Sequence, residues 1–277
     1  MYLTESMRLL TYSDLLASAV SAKVAYYPPG YIKSLWHGHW IPCVTRPSTY
    51  PLYVSSRLDT QVYVWRTGTT LHLVWRGTSS VQDVLEDLDV RVKRWGDTQV
   101  HSGILNQFTS VESDVTSALE SMSAETNTLQ ITGHSLGGAL AQLSSAHYGR
   151  MFPDLKVICH SFGSPRVGDK RFVSELSLRV CENIRVVNKE DPIPMVPQRP
   201  IWLHAPRCIV LDDRGGAVEQ REDTPWQKRL QKTLTTVDYQ DVRRPHFIET
   251  YVERLRSLLQ YPINSLQIMP QQFAEKA

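Results

Sequence analysis

Leu129-Gln130-Ile131-Thr132-Gly133-His134-Ser135-Leu136-Gly137-Gly138-Ala139-Leu140 is the stretch on which the fold turns. Its first four residues have the short apolar character of a buried strand, and the residues from Gly138 to Leu143 read as a small-residue helix. A serine between two glycines at such a junction marks a sharp, strained turn. The glycines leave room for it, and the serine hydroxyl is lifted out of the sheet. The helix that starts there aims unpaired backbone N–H groups at whatever lies over the serine, so the Leu136 N–H is a candidate donor to an oxyanion. The alternative is an ordinary glycine-rich turn with an inert serine, and the strand-turn-helix setting favours the nucleophile elbow.

Strand-like and helix-like segments alternate outward from this point. Strands are expected at 61–66, 71–76, 129–132, 157–161, 184–188 and 208–211, and helices at 12–26, 104–122, 137–150, 169–179 and 246–260. In the last helix Phe247, Tyr251, Val252, Leu255, Leu258 and Leu259 recur at helical spacing. Thr67-Gly68-Thr69-Thr70 between the first two strands reads as a hairpin. The sheet is therefore expected to be mixed, mostly parallel with antiparallel strands toward one edge, and to carry helices on both faces. The chain has 277 residues, of which 42% are hydrophobic and 21% charged, which excludes intrinsic disorder and supplies a sizeable core. No Pro/Gly/Ser-rich linker divides it, so one α/β domain over residues 1–277 is expected. A net charge of +2 is too near balance to point to a nucleic-acid partner.

A serine hydroxyl is a weak nucleophile near neutral pH and needs a histidine base held by a carboxylate. In α/β hydrolases the acid follows the serine and the histidine follows the acid, which leaves His160, His204 and His246. Asp191 closes the strand 184–188 ahead of a loop stiffened by Pro192, Pro194 and Pro197, a strand end where such folds present catalytic groups. Asp169, after Gly168 and before Lys170-Arg171-Phe172-Val173, reads as a helix N-cap, and Asp212-Asp213 before Arg214-Gly215-Gly216 as turn residues. His246 follows Pro245 and precedes the amphipathic final helix, so its ring can hang from a loop at the sheet edge, whereas His204 precedes a strand. A second oxyanion donor is wanted from an earlier strand-to-loop junction, and the Thr78 N–H in Val74-Trp75-Arg76-Gly77-Thr78-Ser79-Ser80 is the candidate, a simple turn being the alternative.

Together with Val100-His101-Ser102-Gly103 and Phe162-Gly163-Ser164-Pro165-Arg166-Val167-Gly168-Asp169, these blocks resemble the class 3 lipases, the α/β-hydrolase family typified by fungal triacylglycerol lipases. The blocks span residues 74–169, and the Ser-Asp-His order extends the match to about residue 260. The resemblance implies Ser135 as nucleophile, His246 as general base, Asp191 as the acid, and Thr78 and Leu136 as oxyanion donors. It implies hydrolysis of a lipid ester, with a phospholipase A1-type or short-chain esterase as alternative and an inactive lipid-binding protein as a more remote one.

Val81, Val84, Leu85 and Leu88 share one helical face in a segment whose other face is acidic, so a short lid is expected at about 79–90, where fungal members carry theirs. A helix packed permanently on the core is the alternative. An insertion is expected at about 214–243, containing a helix start at Asp223-Thr224-Pro225 and a basic cluster that reads as a solvated face. His37-Gly38-His39 lacks a nearby carboxylate or cysteine to complete a metal site, so no metal and no cofactor are expected. Cys43, Cys159, Cys181 and Cys208 form no CxxC pair, and Cys159 and Cys208 sit in apolar, strand-like runs as buried thiols. With no signal-like N-terminus and no membrane span in the sequence, a cytoplasmic protein with transient contact to a lipid-water interface is expected.

Overall fold

Burial alternates along Val62-Tyr63-Val64-Trp65 in β2 (Gln61–Thr67): Val62 and Val64 join one apolar cluster, Tyr63 and Trp65 another. A strand whose successive side chains enter two different cores is a strand covered on both faces. The computed structural model describes residues 5–32, 48–49, 51–78, 91–198, 200–220 and 245–259. Among them the main sheet has eight strands in the order β1-β2-β3-β6-β7-β8-β9-β10. The strands are β1 (Leu52–Ser55), β2, β3 (Thr70–Trp75), β6 (Thr128–His134), β7 (Lys156–Phe162), β8 (Glu182–Asn188), β9 (Cys208–Leu211) and β10 (Ala217–Gln220). From β3 through β9 the pairs are parallel, while β1, β2 and β10 run antiparallel at the two edges. The 67–70 hairpin forms as expected, with Gly68 at φ +55 supplying the left-handed turn residue.

One face is covered by α2 (Ser102–Thr109), α3 (Glu112–Met122), α4 (Leu136–Met151) and α5 (Lys170–Arg179), which share a core with Leu71, Leu73 and Trp75 of β3. Trp75 is fully buried, and its indole N–H donates to Ser144 Oγ at 2.9 Å, so the largest side chain of this core also pins β3 to α4. The other face is covered by α1 (Glu5–Val24) and α6 (Ile248–Leu258), which pack on each other and on Phe162, Ile184, Val186 and Ile209. Burying each such aliphatic or aromatic side chain stabilises the layers by roughly 1.5–3 kcal/mol. A separate hairpin, β4 (Val92–Trp95) and β5 (Thr98–His101), joins this body through a β-bridge from Val100 to Gly168, which itself bridges to Leu203.

Several elements differ from the sequence reading. The helix expected at 104–122 is two helices, α2 and α3, broken at Ser110 and Val111. The edge strands β1 and β10 and the β4–β5 hairpin were not expected, and β10 occupies the start of the stretch read as an insertion. The 79–90 lid, the helix start at 223–225, His37, His39 and Cys43 lie outside the described residues. Among the described residues no helix is long and apolar enough to cross a membrane, and no cluster of His, Cys, Asp or Glu is arranged to hold a metal. Cys159 and Cys208 are both buried, as read.

Candidate active site

The C-terminal ends of β3, β6, β7 and β8 deliver the polar groups to one place. At the end of β6 the chain reverses into α4 through Ser135, a non-glycine residue at φ +58, ψ −127. That backbone conformation is sterically costly, and it is held here by hydrogen bonds on both sides: Ser135 N–H to the Phe162 carbonyl at 2.9 Å, and Gly138 N–H to the Ser135 carbonyl at 2.9 Å. Gly137 is obligatory because a Cβ there would lie 2.8 Å from the Arg76 carbonyl carbon and 2.9 Å from the Gly77 nitrogen. The same closeness sets the end of β3 directly against the first turn of α4. Leu136 is the first residue of that helix, so its N–H has no acceptor within the helix. Thr78 follows Gly77 at the adjoining strand end.

Ser135, His246 and Asp191 converge, although 111 residues separate the first two and 55 the last two. His246 Nε2 lies 2.9 Å from Ser135 Oγ, and His246 Nδ1 lies 2.8 Å from Asp191 Oδ2. A carboxylate only accepts, so Nδ1 carries the ring proton and Nε2 is free to accept from the serine hydroxyl. Asp191 is 0% exposed, which makes its hydrogen bonds decisive for a buried charge. Beyond His246 it receives the Ile193 N–H on Oδ1 at 2.9 Å and the Tyr251 hydroxyl on Oδ2 at 2.5 Å. Burial and the charge of Asp191 push the Tyr251 phenol well above its ordinary pKa, so it stays a donor. Tyr251 also accepts the Asn188 N–H at 3.1 Å, and the Asn188 amide donates to the Pro245 carbonyl at 2.7 Å, tying the histidine loop to the end of β8.

The backbone around these groups leaves no slack. Gly163, at φ +55, would place a Cβ 2.7 Å from Asp191 Oδ2 and 2.9 Å from the Tyr251 hydroxyl. Behind Asp191 the buried Arg166 guanidinium donates to the Met195 and Pro197 carbonyls and its backbone N–H to Val196, so the loop that carries the carboxylate is stapled to the segment after β7. The remaining candidates lie elsewhere. The Asp169 side chain caps α5 through the Phe172 N–H at 2.8 Å, Asp212 accepts the Arg214 and Gly216 N–H groups within a turn, and His204 donates to the Pro194 carbonyl. His160 sits on β7 against α1, bonded to Ser18 and Glu182, away from Ser135. Tyr251, Asn188, Arg166 and His134 contribute to the site without having been singled out in the sequence. Tyr251 was visible there only as one apolar position on a helical face.

The family model described as Lipase (class 3) matches residues 72–200. A lipase of Rhizopus niveus is 30% identical over 176 residues, covering 60% of this chain and 44% of that protein. The phospholipase A(1) DAD1 of Arabidopsis thaliana, a chloroplastic protein, is 37% identical over 109 residues, covering 35% of this chain and 24% of that protein. The chain thus spans less than half the length of these curated relatives. Among solved structures, the Rhizomucor miehei triacylglyceride lipase superposes with a TM-score of 0.68 at 23% identity, covering 87% of this chain and 94% of that one. The fold is that of the α/β hydrolases.

Proposed function

From a chain whose residues 72–200 match the model of the class 3 lipase family, we propose a serine hydrolase that cleaves carboxylic esters of lipids through an acyl-enzyme. The observation that carries this reading is the chain of contacts from Ser135 Oγ through His246 to Asp191, 2.9 Å and 2.8 Å, on a serine held at positive φ. In the first half-reaction Ser135 Oγ attacks the ester carbonyl carbon and its proton passes to His246 Nε2. The developing oxyanion takes the Thr78 and Leu136 N–H groups, and the imidazolium is stabilised by Asp191. His246 then returns the proton to the departing alkoxide. Water, deprotonated by the same nitrogen, releases the acid in the second half-reaction.

The natural test is hydrolysis of a chain-length series from butyrate to palmitate esters by wild type and Ser135→Ala. Loss of roughly 10⁴-fold or more in the variant, with wild type favouring long chains, is the expected result. Comparable turnover by both proteins would reject the assignment. The relative that is 37% identical is named a phospholipase A(1), which supports a second reading of the same chemistry with a phospholipid as substrate. Head-group preference, measured on glycerides against phospholipids, separates the two.

A further inference from the structure

We propose that Tyr26 and His134 are positioning residues: together they form a hydrogen-bonded strut that joins the backbone of His246 to the end of β3, from which Thr78 extends. This rests on the reading of Ser135, His246 and Asp191 given above. His134 Nε2 lies 2.6 Å from the His246 carbonyl oxygen, and His134 Nδ1 lies 2.8 Å from the Tyr26 hydroxyl. A carbonyl only accepts, so Nε2 carries the proton. In a neutral imidazole Nδ1 is then bare and only accepts, so the Tyr26 O–H must donate to it. The Tyr26 oxygen in turn accepts the backbone N–H of Gly77. The bonds therefore run in one direction, from Gly77 to Tyr26 to His134 to His246.

Neutrality of His134 is a condition of this arrangement, and its surroundings enforce it. The ring is 4% exposed, and burial, followed by the neighbouring His246, holds its pKa well below the ordinary histidine value. Its ring centroid is 4.7 Å from that of His246, so a neutral ring there leaves the His246 imidazolium without an adjacent like charge. His246 is consequently gripped at both ends, its ring by Asp191 and its backbone by His134. Tyr26 enters from just beyond α1, with its N–H on the Lys23 carbonyl, and Lys23 pairs with Glu249 of α6 at 3.3 Å. The docking of the N-terminal helix is thereby connected to the geometry of the base. The residue before the serine has a task of its own, as does a tyrosine more than a hundred residues upstream of it.

The test uses Tyr26→Phe, His134→Asn and His134→Gln in the full chain. The glutamine amide nitrogen stands near the place of Nε2 and keeps the donor to His246, whereas the asparagine amide stands near Nδ1 and abandons it. With p-nitrophenyl butyrate, kcat is expected to fall about tenfold in Tyr26→Phe. In His134→Asn it should fall on the order of 10²-fold, with most of the loss recovered in His134→Gln. KM should stay within about twofold throughout, because the strut orients the base without touching the ester. The rate of covalent labelling by a fluorophosphonate should fall in parallel with kcat. Should His134→Asn not fold, Tyr26→Phe, which removes a single oxygen, decides alone. Unchanged kcat and labelling in Tyr26→Phe, or equal losses in the Asn and Gln variants, overturns the strut while wild-type labelling stands. A wild type that no fluorophosphonate labels overturns the serine-hydrolase reading beneath it.

Discussion

Replacing Tyr251 by phenylalanine removes one oxygen from the most buried charge of the site, and the cost can be worked from its contacts. Asp191 would keep the Ile193 N–H and His246 Nδ1–H but lose the 2.5 Å hydroxyl, and the Asn188 N–H would lose its acceptor. A hydrogen bond to a charged group contributes about 1.5–3 kcal/mol, and orphaning a buried N–H costs about 1–3 kcal/mol. Partial relaxation offsets part of this, which leaves a destabilisation of roughly 3 kcal/mol. For a chain of this size it corresponds to a drop in Tm of roughly 6–12 °C. Catalysis should suffer less, by about tenfold or under in kcat/KM, because His246 retains its carboxylate partner and its serine. Urea and thermal unfolding, run beside ester hydrolysis, separate the two effects. A variant as stable as wild type would refute the contact accounting. One of native stability with activity reduced by more than about 10³-fold would give the hydroxyl a part in the chemistry instead.

Acid should destabilise the fold through histidines that it keeps neutral. Burial lowers the pKa of His72 to about 4, so the unfolded chain binds a proton near 6.5 that the folded chain refuses. His72 therefore contributes stability above that pH which is lost as pH falls from about 6.5 to 4, roughly 3 kcal/mol at the limit, and the buried His134 acts in the same direction. Urea midpoints at pH 7.5 and 5 measure it, and His72→Phe should flatten the dependence. Below pH 4.5 a second loss follows: the hydrogen bond from His160 holds Glu182 down at about 2, and the benefit present above 4.5 disappears on protonation. Asp169→Ala should cost about 1 kcal/mol of stability as a lost N-cap and leave ester hydrolysis intact, in contrast to Asp191→Ala. Gly137→Ala should destabilise by about 2 kcal/mol or more and abolish activity, since its methyl meets the backbone of residues 75–77.

The fold was legible where chain physics is local. Six strands and the hairpin were found within one or two residues of their ends because buried strands are continuous apolar runs, and Asp169 was recognisable as a cap from its position alone. The single helix expected at 104–122 failed for an instructive reason. Ile104, Leu105, Phe108, Val111, Val115, Ala118 and Leu119 all enter the same core, so the helical period continues across a break in the backbone that periodicity cannot detect. The strand β4 is largely exposed and carries Lys93 and Arg94, so it has no apolar run to read, and β1 offers only the four residues Leu52-Tyr53-Val54-Ser55, mostly exposed at the sheet edge. At the site, Ser135 followed from its strand-turn-helix setting and chain order narrowed the acid and the base; Asp191 and His246 were chosen with the class 3 lipase resemblance, and the structure brings the three together. Tyr251 and His134 were passed over because their significance lies in one polar atom each. Those atoms meet their partners, Asp191 and the His246 carbonyl, only when α6 and the residues before it pack against the ends of β8 and β6. Arg166 was hidden in the same way, its guanidinium serving backbone carbonyls that no sequence motif displays.

The most direct test of an activated Ser135 is the mass of the covalent adduct formed with a fluorophosphonate, located by peptide mass spectrometry in wild type, Ser135→Ala and His246→Ala. Stoichiometric labelling of the peptide containing Gly133-His134-Ser135-Leu136-Gly137 in wild type, absent in Ser135→Ala and strongly slowed in His246→Ala, is the predicted result. Labelling at another residue, or an unlabelled wild type, would contradict it.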